Sequence, residues 1–273
     1  MKPIFHSILA VLAATCFPLQ ASETHRTLPS PDFAKIFENH QATFVMKELE
    51  SGQMWRFNDE ALDRGCLPCS TFKIPHSIIG LELGILQDAD TKIKRDPLKF
   101  PAEDWWPRSW ERSPATLRQA MKHSIVWYYR TLAGHVGPKR MQQWLTKFDY
   151  GNGDFSAGPD IFWIKGDFAI SPNEQLDFME RFYREKLGVS EKTTAILKDV
   201  LVLDNQKDYR FSGKTGLCTM PDKKKVGWLV GYLERGPRTF VYVLKLEGDT
   251  FDQIKHARIE LVKAVLRHMN LMS

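Results

Sequence analysis

Apolar and polar positions first alternate along this chain and then change period. ATFVMKELE (42–50) and QMWRFN (53–58), joined through Ser51-Gly52, carry the pattern of a β-hairpin. After CLPCSTFKIP (66–75) the spacing becomes helical. Ile74, Ile78, Leu81 and Ile85 line one face until Gly84 and Asp88 close the segment. From about 100 to 190 the pattern stays helix-rich, with breaks at Pro107, Gly137-Pro138 and Gly151-Asn152-Gly153, and Leu176 to Leu187 forms a further amphipathic stretch. Strand patterns return in YRFSGKTG (209–216), VGWLVGYLE (226–234) and TFVYVLKLE (239–247). GDTFDQIKHARIELVKAVLRHM (248–269) predicts one long amphipathic helix at the end.

Strands at both ends with helices between them predict an α/β fold of the α+β type. An antiparallel sheet is assembled from both termini and flanked by helices, with a helical lobe inserted. The sheet lobe takes about 22–65 and 200–273, the helical lobe about 70–195, and the ligand site falls in the cleft between them. With 273 residues and 43% hydrophobic content, the chain can bury one large core without staples. Its 38 basic and 33 acidic residues nearly balance, and the densest basic run, Lys223-Lys224-Lys225, follows Pro221-Asp222 like a loop tip; no nucleic-acid partner is implied. Phosphate-binding glycine loops are absent, and no HxH or HExxH spacing marks a metal centre.

The first 21 residues, MKPIFHSILAVLAATCFPLQA, join one early cation to a short apolar run and a small-residue ending. This is the form of a secretory signal peptide, and the run is too short to span a bilayer. It predicts export to the periplasm and a mature chain of 22–273 folded as one domain. Export leaves Cys66, Cys69 and Cys218 in an oxidising compartment. Three thiols cannot all pair, so at least one is free or pairs outside the chain.

Two chemistries overlap at 66–73. Cys66-Leu67-Pro68-Cys69 has the spacing of a redox dithiol at a helix start. Ser70-Thr71-Phe72-Lys73 places an amine three residues after a hydroxyl, on the same helical face, as nucleophile activation requires. A serine N-cap beside a surface lysine would look the same, but Pro68 and the apolar run after Ser70 argue for a buried helix start, where a casual lysine is disfavoured. Lys214-Thr215-Gly216 ends a strand pattern: a cation to hold an anion, and a glycine that lets a ligand approach the backbone. Ser124-Ile125-Val126 supplies a second hydroxyl, and Tyr150-Gly151-Asn152 has the form of a tight turn.

In this order the four motifs resemble the serine β-lactamase and penicillin-binding-protein superfamily, and STFK-IP, SIV, YGN and KTG are most similar to its class D, oxacillinase branch. FWIKGDFAIS (162–171), VGWLVGYLE and ARIELVKAVL extend the resemblance over nearly the whole mature chain. The class A pattern would instead carry SDN. The resemblance implies hydrolysis of a small-molecule β-lactam through a Ser70 acyl-enzyme. Lys73, carboxylated by carbon dioxide, would be the general base of both half-reactions, and no other cofactor or metal is implied. Phe72, Val126 and Trp163 would wall off that lysine, and the indole N–H of Trp163 would hold the carbamate oxygens. Ser124 would relay a proton to the departing ring nitrogen, and the backbone N–H groups of Ser70 and Leu217 would form the oxyanion hole. Lys214, Thr215, Gly216 and, on the last helix, Arg258 would bind the substrate and its carboxylate. Monomer and homodimer both stay open. The position before the serine is commonly a small residue such as alanine in this family; here it is Cys69.

Rival readings compete with this one. A thioredoxin-like oxidoreductase would need a βαβ unit before the CxxC, where a hairpin stands. Otherwise the thiols are unpaired, or one is bonded to Cys218 or to another chain. A penicillin-binding sensor or D,D-peptidase would share Ser70, Lys73 and Lys214 but release its acyl group slowly, and a non-catalytic peptidoglycan-binding protein would keep the motifs as relics. A Ser-His-Asp hydrolase built on His123 is excluded, because His123 adjoins Ser124 and no G-x-S-x-G elbow is present.

Overall fold

A computed structural model describes residues 32–273, so the signal-peptide reading of 1–21 lies outside the described residues. In chain order the elements are α1 (Phe33–Ile36), β1 (Gln41–Glu48), β2 (Met54–Phe57), a 3-10 turn (Cys69–Phe72) running into α2 (Lys73–Glu82), and β3 (Lys92–Ile93). Then come α3 (Arg108–Glu111), β4 (Ala115–Thr116), α4 (Leu117–Lys122), α5 (Val126–Val136), α6 (Pro138–Phe148), α7 (Pro172–Tyr183) and α8 (Glu191–Val200). The chain closes with β5 (Val202–Asn205), β6 (Arg210–Thr219), β7 (Lys225–Arg235), β8 (Arg238–Gly248), α9 (Phe251–Lys255) and α10 (Ala257–His268).

The main sheet has six antiparallel strands in the order β2-β1-β8-β7-β6-β5, so strands from both ends of the chain meet at the β1–β8 pair. This is the α+β arrangement expected from the pattern. β7 explains why its stretch reads as an unbroken apolar run. Trp228, Val230 and Tyr232 join the core shared with the helical lobe, whereas Leu229 and Leu233 join the core under α9 and α10. A strand buried on both faces has no polar side to show. Helices α9 and α10 cover one face, and α7 crosses the other against β8, β1 and β7.

Three sequence expectations are corrected. The helix-rich region does not extend through 149–171, which is turns and irregular chain. Gly151, Gly153, Gly158 and Gly166 all take left-handed φ there, incompatible with a continuing helix. The predicted terminal helix is split between α9 and α10 at His256. Arg258 donates from Nε and Nη2 to the Lys255 carbonyl oxygen, at 3.1 and 2.9 Å, so that last carbonyl of α9 is capped by a side chain. Ile85 falls beyond the end of α2, whose C-cap is Leu83. The breaks at Pro107 and Gly137-Pro138 stand where expected: Pro107 caps α3, while Gly137 ends α5 and Pro138 opens α6. Lys223 and Lys224 occupy the exposed turn between β6 and β7. Among the described residues no helix is long and apolar enough to cross a membrane.

Candidate active site

The 3-10 turn Cys69–Phe72 stacks Ser70 almost directly over Lys73, because a 3-10 helix repeats every three residues. Lys73 Nζ donates to Ser70 Oγ at 2.7 Å. Ser70 is half-buried and Lys73 has no solvent exposure, so the hydroxyl is reachable and the amine is not. Burial first, and the nearby positive charge of Lys214 second, push the Lys73 ammonium well below the usual lysine range. Both effects favour the uncharged amine.

That burial comes from aromatic rings. Phe72 stacks on Trp163 at 5.5 Å between centroids, meets Phe162 edge-on at 4.8 Å, and packs against Tyr150 and Phe168. Val126 is half-buried at the start of α5 and packs on the same core. Lys73 Nζ also stands 5.3 Å over the Tyr129 ring. Trp163 is fully buried, yet its Nε1–H has no hydrogen-bond partner among the described residues. An unpaired buried donor is costly, and here it lies in the aromatic shell around Lys73.

The YGN motif holds this shell. The Asn152 amide donates to the Asp167 carbonyl oxygen at 2.9 Å and its Oδ1 accepts from Ala169 N–H at 3.0 Å, fastening the Trp163 loop at its far end. Tyr150 is buried; its hydroxyl donates to Gln175 Oε1, and Gln175 Nε2 donates to Thr71 Oγ1 at 2.8 Å. This chain braces the nucleophile's turn from behind. It was not legible in the sequence, because Gln175 lies 104 residues from Thr71.

Strand β6 forms the opposite wall. A Cβ at Gly216 would come within 2.9 Å of the Pro68 carbonyl oxygen, so glycine is required for β6 to lie against the nucleophile's turn. Two further ties fix the approach: Trp228 Nε1 donates to the Leu67 carbonyl oxygen at 2.9 Å, and Cys69 is disulfide-bonded to Cys218 with Cα atoms 5.7 Å apart. Cys69 and Cys218 directly adjoin Ser70 and Leu217, so the bridge ties together the two segments that carry the residues the resemblance assigns to the oxyanion hole. Crosslinking residues 149 apart removes unfolded-chain entropy worth about 5 kcal/mol.

The same bond corrects the redox reading. Cys66 and Cys69 do not pair with each other. Burial pushes the Cys66 thiol up to about 12, the opposite of what a reactive dithiol needs. Cys66 serves the fold instead, exchanging backbone hydrogen bonds with Ile170 at 3.1 and 3.0 Å.

Lys214 is buried on β6 and donates to the Thr215 carbonyl oxygen at 2.9 Å. Burial, with Arg258 adding its charge, pushes Lys214 down to about 7. Arg258 is buried beneath the strand and donates from Nη1 to the Gly216 carbonyl oxygen, and burial lowers it to about 10. Arg258 thus reaches the KTG strand from the final helix, through its backbone at Gly216. Lys214 and Thr215 border a cavity of about 530 Å³ between β5–β6 and the ends of α4 and α8, with Arg118, Lys122, Asp199 and Arg210 on its walls; Ser70 is not part of that lining. Ser124 sits between α4 and α5 with a left-handed φ of 57°, a conformation uncommon outside glycine and frequent at functional sites.

This chain matches the penicillin-binding protein transpeptidase domain family over residues 34–267. It is 30% identical over 243 residues to the probable β-lactamase YbxI of Bacillus subtilis, covering 89% of this chain and 88% of that protein. Identity to β-lactamase OXA-10 of Pseudomonas aeruginosa is 34% over 245 residues, covering 89% and 88%. The solved class D β-lactamase from Bacillus subtilis superposes with a TM-score of 0.82 at 28% identity, covering 91% of this chain and 100% of that one. The chain therefore belongs to the penicillin-binding-protein transpeptidase family and, within it, to the class D β-lactamases.

Proposed function

We propose that this protein hydrolyses the β-lactam ring of penicillin-type antibiotics through an ester on Ser70, and so confers resistance. The observation that carries this reading is the 2.7 Å contact between Ser70 Oγ and a fully buried Lys73. Lys73 is also the site proposed for carboxylation, and the unpaired Nε1–H of Trp163 fits an anionic group there. When bound as a carbamate at Nζ, with one proton released, carbon dioxide supplies an anionic oxygen base that reaches further than the amine. Ser70 Oγ loses its proton to the Lys73 side chain and attacks the ring carbonyl, whose oxygen is held by the N–H groups of Ser70 and Leu217. As the ring C–N bond breaks, Ser124 relays that proton from the Lys73 side chain to the ring nitrogen, which leaves Lys73 free to act again. In the second half-reaction the Lys73 side chain takes a proton from the attacking water. Lys214 and Thr215 orient the substrate's carboxylate, and Arg258 holds β6 from beneath through Gly216. Export belongs to the same proposal; the Cys69–Cys218 disulfide suits an oxidising compartment.

Turnover of a chromogenic cephalosporin or a penicillin tests the reading. Many turnovers per enzyme are expected; one stoichiometric adduct without turnover would assign the protein to the slow-releasing sensors instead. Carbon dioxide supplies a second test. Activity should fall in depleted buffer and return with bicarbonate, and Trp163→Phe should need roughly tenfold more bicarbonate for the same recovery, the worth of one hydrogen bond to a charged group. Indifference to bicarbonate would remove the carbamate from the mechanism.

The pH profile follows from Lys214. Its positive charge is present below about pH 7 and is lost as pH rises through that value. For an anionic substrate, kcat/KM should therefore decline on the alkaline side, approaching tenfold per pH unit. Lys214→Arg should flatten that limb, since a guanidinium keeps its charge. An alkaline limb unchanged in Lys214→Arg would dissociate Lys214 from carboxylate binding.

A further inference from the structure

His76 is not used by the mechanism above, and its surroundings do not explain why it is a histidine. It lies one turn after Lys73 on α2, with no solvent exposure. Three aromatic rings surround it: Trp163 at 5.3 Å, Phe72 at 5.5 Å and Tyr129 at 5.5 Å between centroids. Neither Nδ1 nor Nε2 has a hydrogen-bond partner among the described residues. The nearby hydroxyls are engaged elsewhere: Ser77 Oγ donates to the Lys73 carbonyl oxygen at 2.7 Å and pairs with the Tyr129 hydroxyl at 2.9 Å. For packing alone a leucine or phenylalanine would avoid burying an unpaired N–H.

The same pocket holds the second orphan, Trp163 Nε1–H. Lys73, His76 and Trp163 are linked by common neighbours, since Phe72 touches both rings and Tyr129 lies under both Lys73 Nζ and His76. Two unpaired buried donors beside one buried amine call for an acceptor carried by that amine. We propose that His76 is a second donor, beside Trp163, to the carboxylate group that Lys73 carries, and that it sets how tightly the site retains carbon dioxide. This rests on the carbamate reading of Lys73. Burial pushes His76 down to about 3, so it stays a neutral ring with one N–H to give. His76 contacts no reacting atom of the substrate; it is a positioning residue for the base.

The experiment measures carbon dioxide binding itself. Protein equilibrated with 13C-bicarbonate is titrated by 13C NMR, following the lysine carbamate resonance in wild type, His76→Leu, His76→Asn and His76→Gln, with thermal melting recorded alongside. Half-occupancy in His76→Leu should require at least roughly tenfold more bicarbonate than wild type at a similar melting temperature. An amide N–H at the position of Nδ1 (Asn) or Nε2 (Gln) should restore occupancy, and whichever variant does so identifies the donating nitrogen. Should the leucine variant not fold, the Asn and Gln variants alone carry the test, with unequal half-occupancy expected. Equal half-occupancy in every folded variant and wild type would overturn the role of His76 while leaving the carbamate intact. No carbamate resonance in wild type would instead overturn the parent reading.

Discussion

Replacing Ser70 with alanine is expected to lower β-lactam turnover by at least about 10³-fold, the scale on which a covalent nucleophile's removal is felt. The loss should be chemical rather than structural. Ser70 is half-buried, and its Oγ receives one hydrogen bond, from Lys73. The turn that carries it is held from outside the hydroxyl, by Thr71 with Gln175, by the Cys69–Cys218 bond and by Trp228 on Leu67. The alanine variant should therefore melt close to wild type, within the roughly 0.5 kcal/mol common for substitutions away from packing features. Mass spectrometry of samples acid-quenched during turnover of a penicillin should show an adduct of the antibiotic's full mass on wild type and none on the variant. An adduct retained by Ser70→Ala would move the nucleophile elsewhere.

Lys73→Ala should be nearly as damaging, and it should separate the two half-reactions. A positioned base contributes about 10² to 10⁴-fold to each step it serves. If Lys73 serves both, acylation slows by that factor, and the little ester that forms should persist for many multiples of the wild-type turnover time. A variant that acylates slowly yet clears its ester at the wild-type rate would assign the hydrolytic water to another base. Stability should respond in the opposite direction from activity, or little, because a fully buried amine with one hydrogen bond is an expensive group to place in a core.

Much of the sheet was legible because strand periodicity reports burial directly, and β7 and β8 are buried almost from end to end. Ser70, Lys73 and Lys214 were legible for a related reason: polar residues stand at positions whose apolar neighbours predict a dry environment. The remaining parts depend on tertiary distance. Cys69 could have paired with Cys66 or Cys218, and only the approach of β6 to the nucleophile's turn decides it. The break between α9 and α10 needs Arg258 to fold back on Lys255, which periodicity does not encode. His76 carried a usable signal, a polar ring one turn from Lys73 on an apolar helix, but its orphaned nitrogens emerge only once Trp163 arrives from 87 positions further along the chain.

The Cys69–Cys218 bond has a topological consequence. It closes a covalent ring that contains every helix from α2 to α8, with α1, β1 and β2 on one tail outside it and β7, β8 and the final helices on the other. A protease that cuts one bond of the irregular 149–171 stretch opens the ring without dividing the molecule. Such a nicked enzyme would migrate as one chain until a reductant is added, and would then fall into two pieces, one bearing Ser70 and the other Lys214.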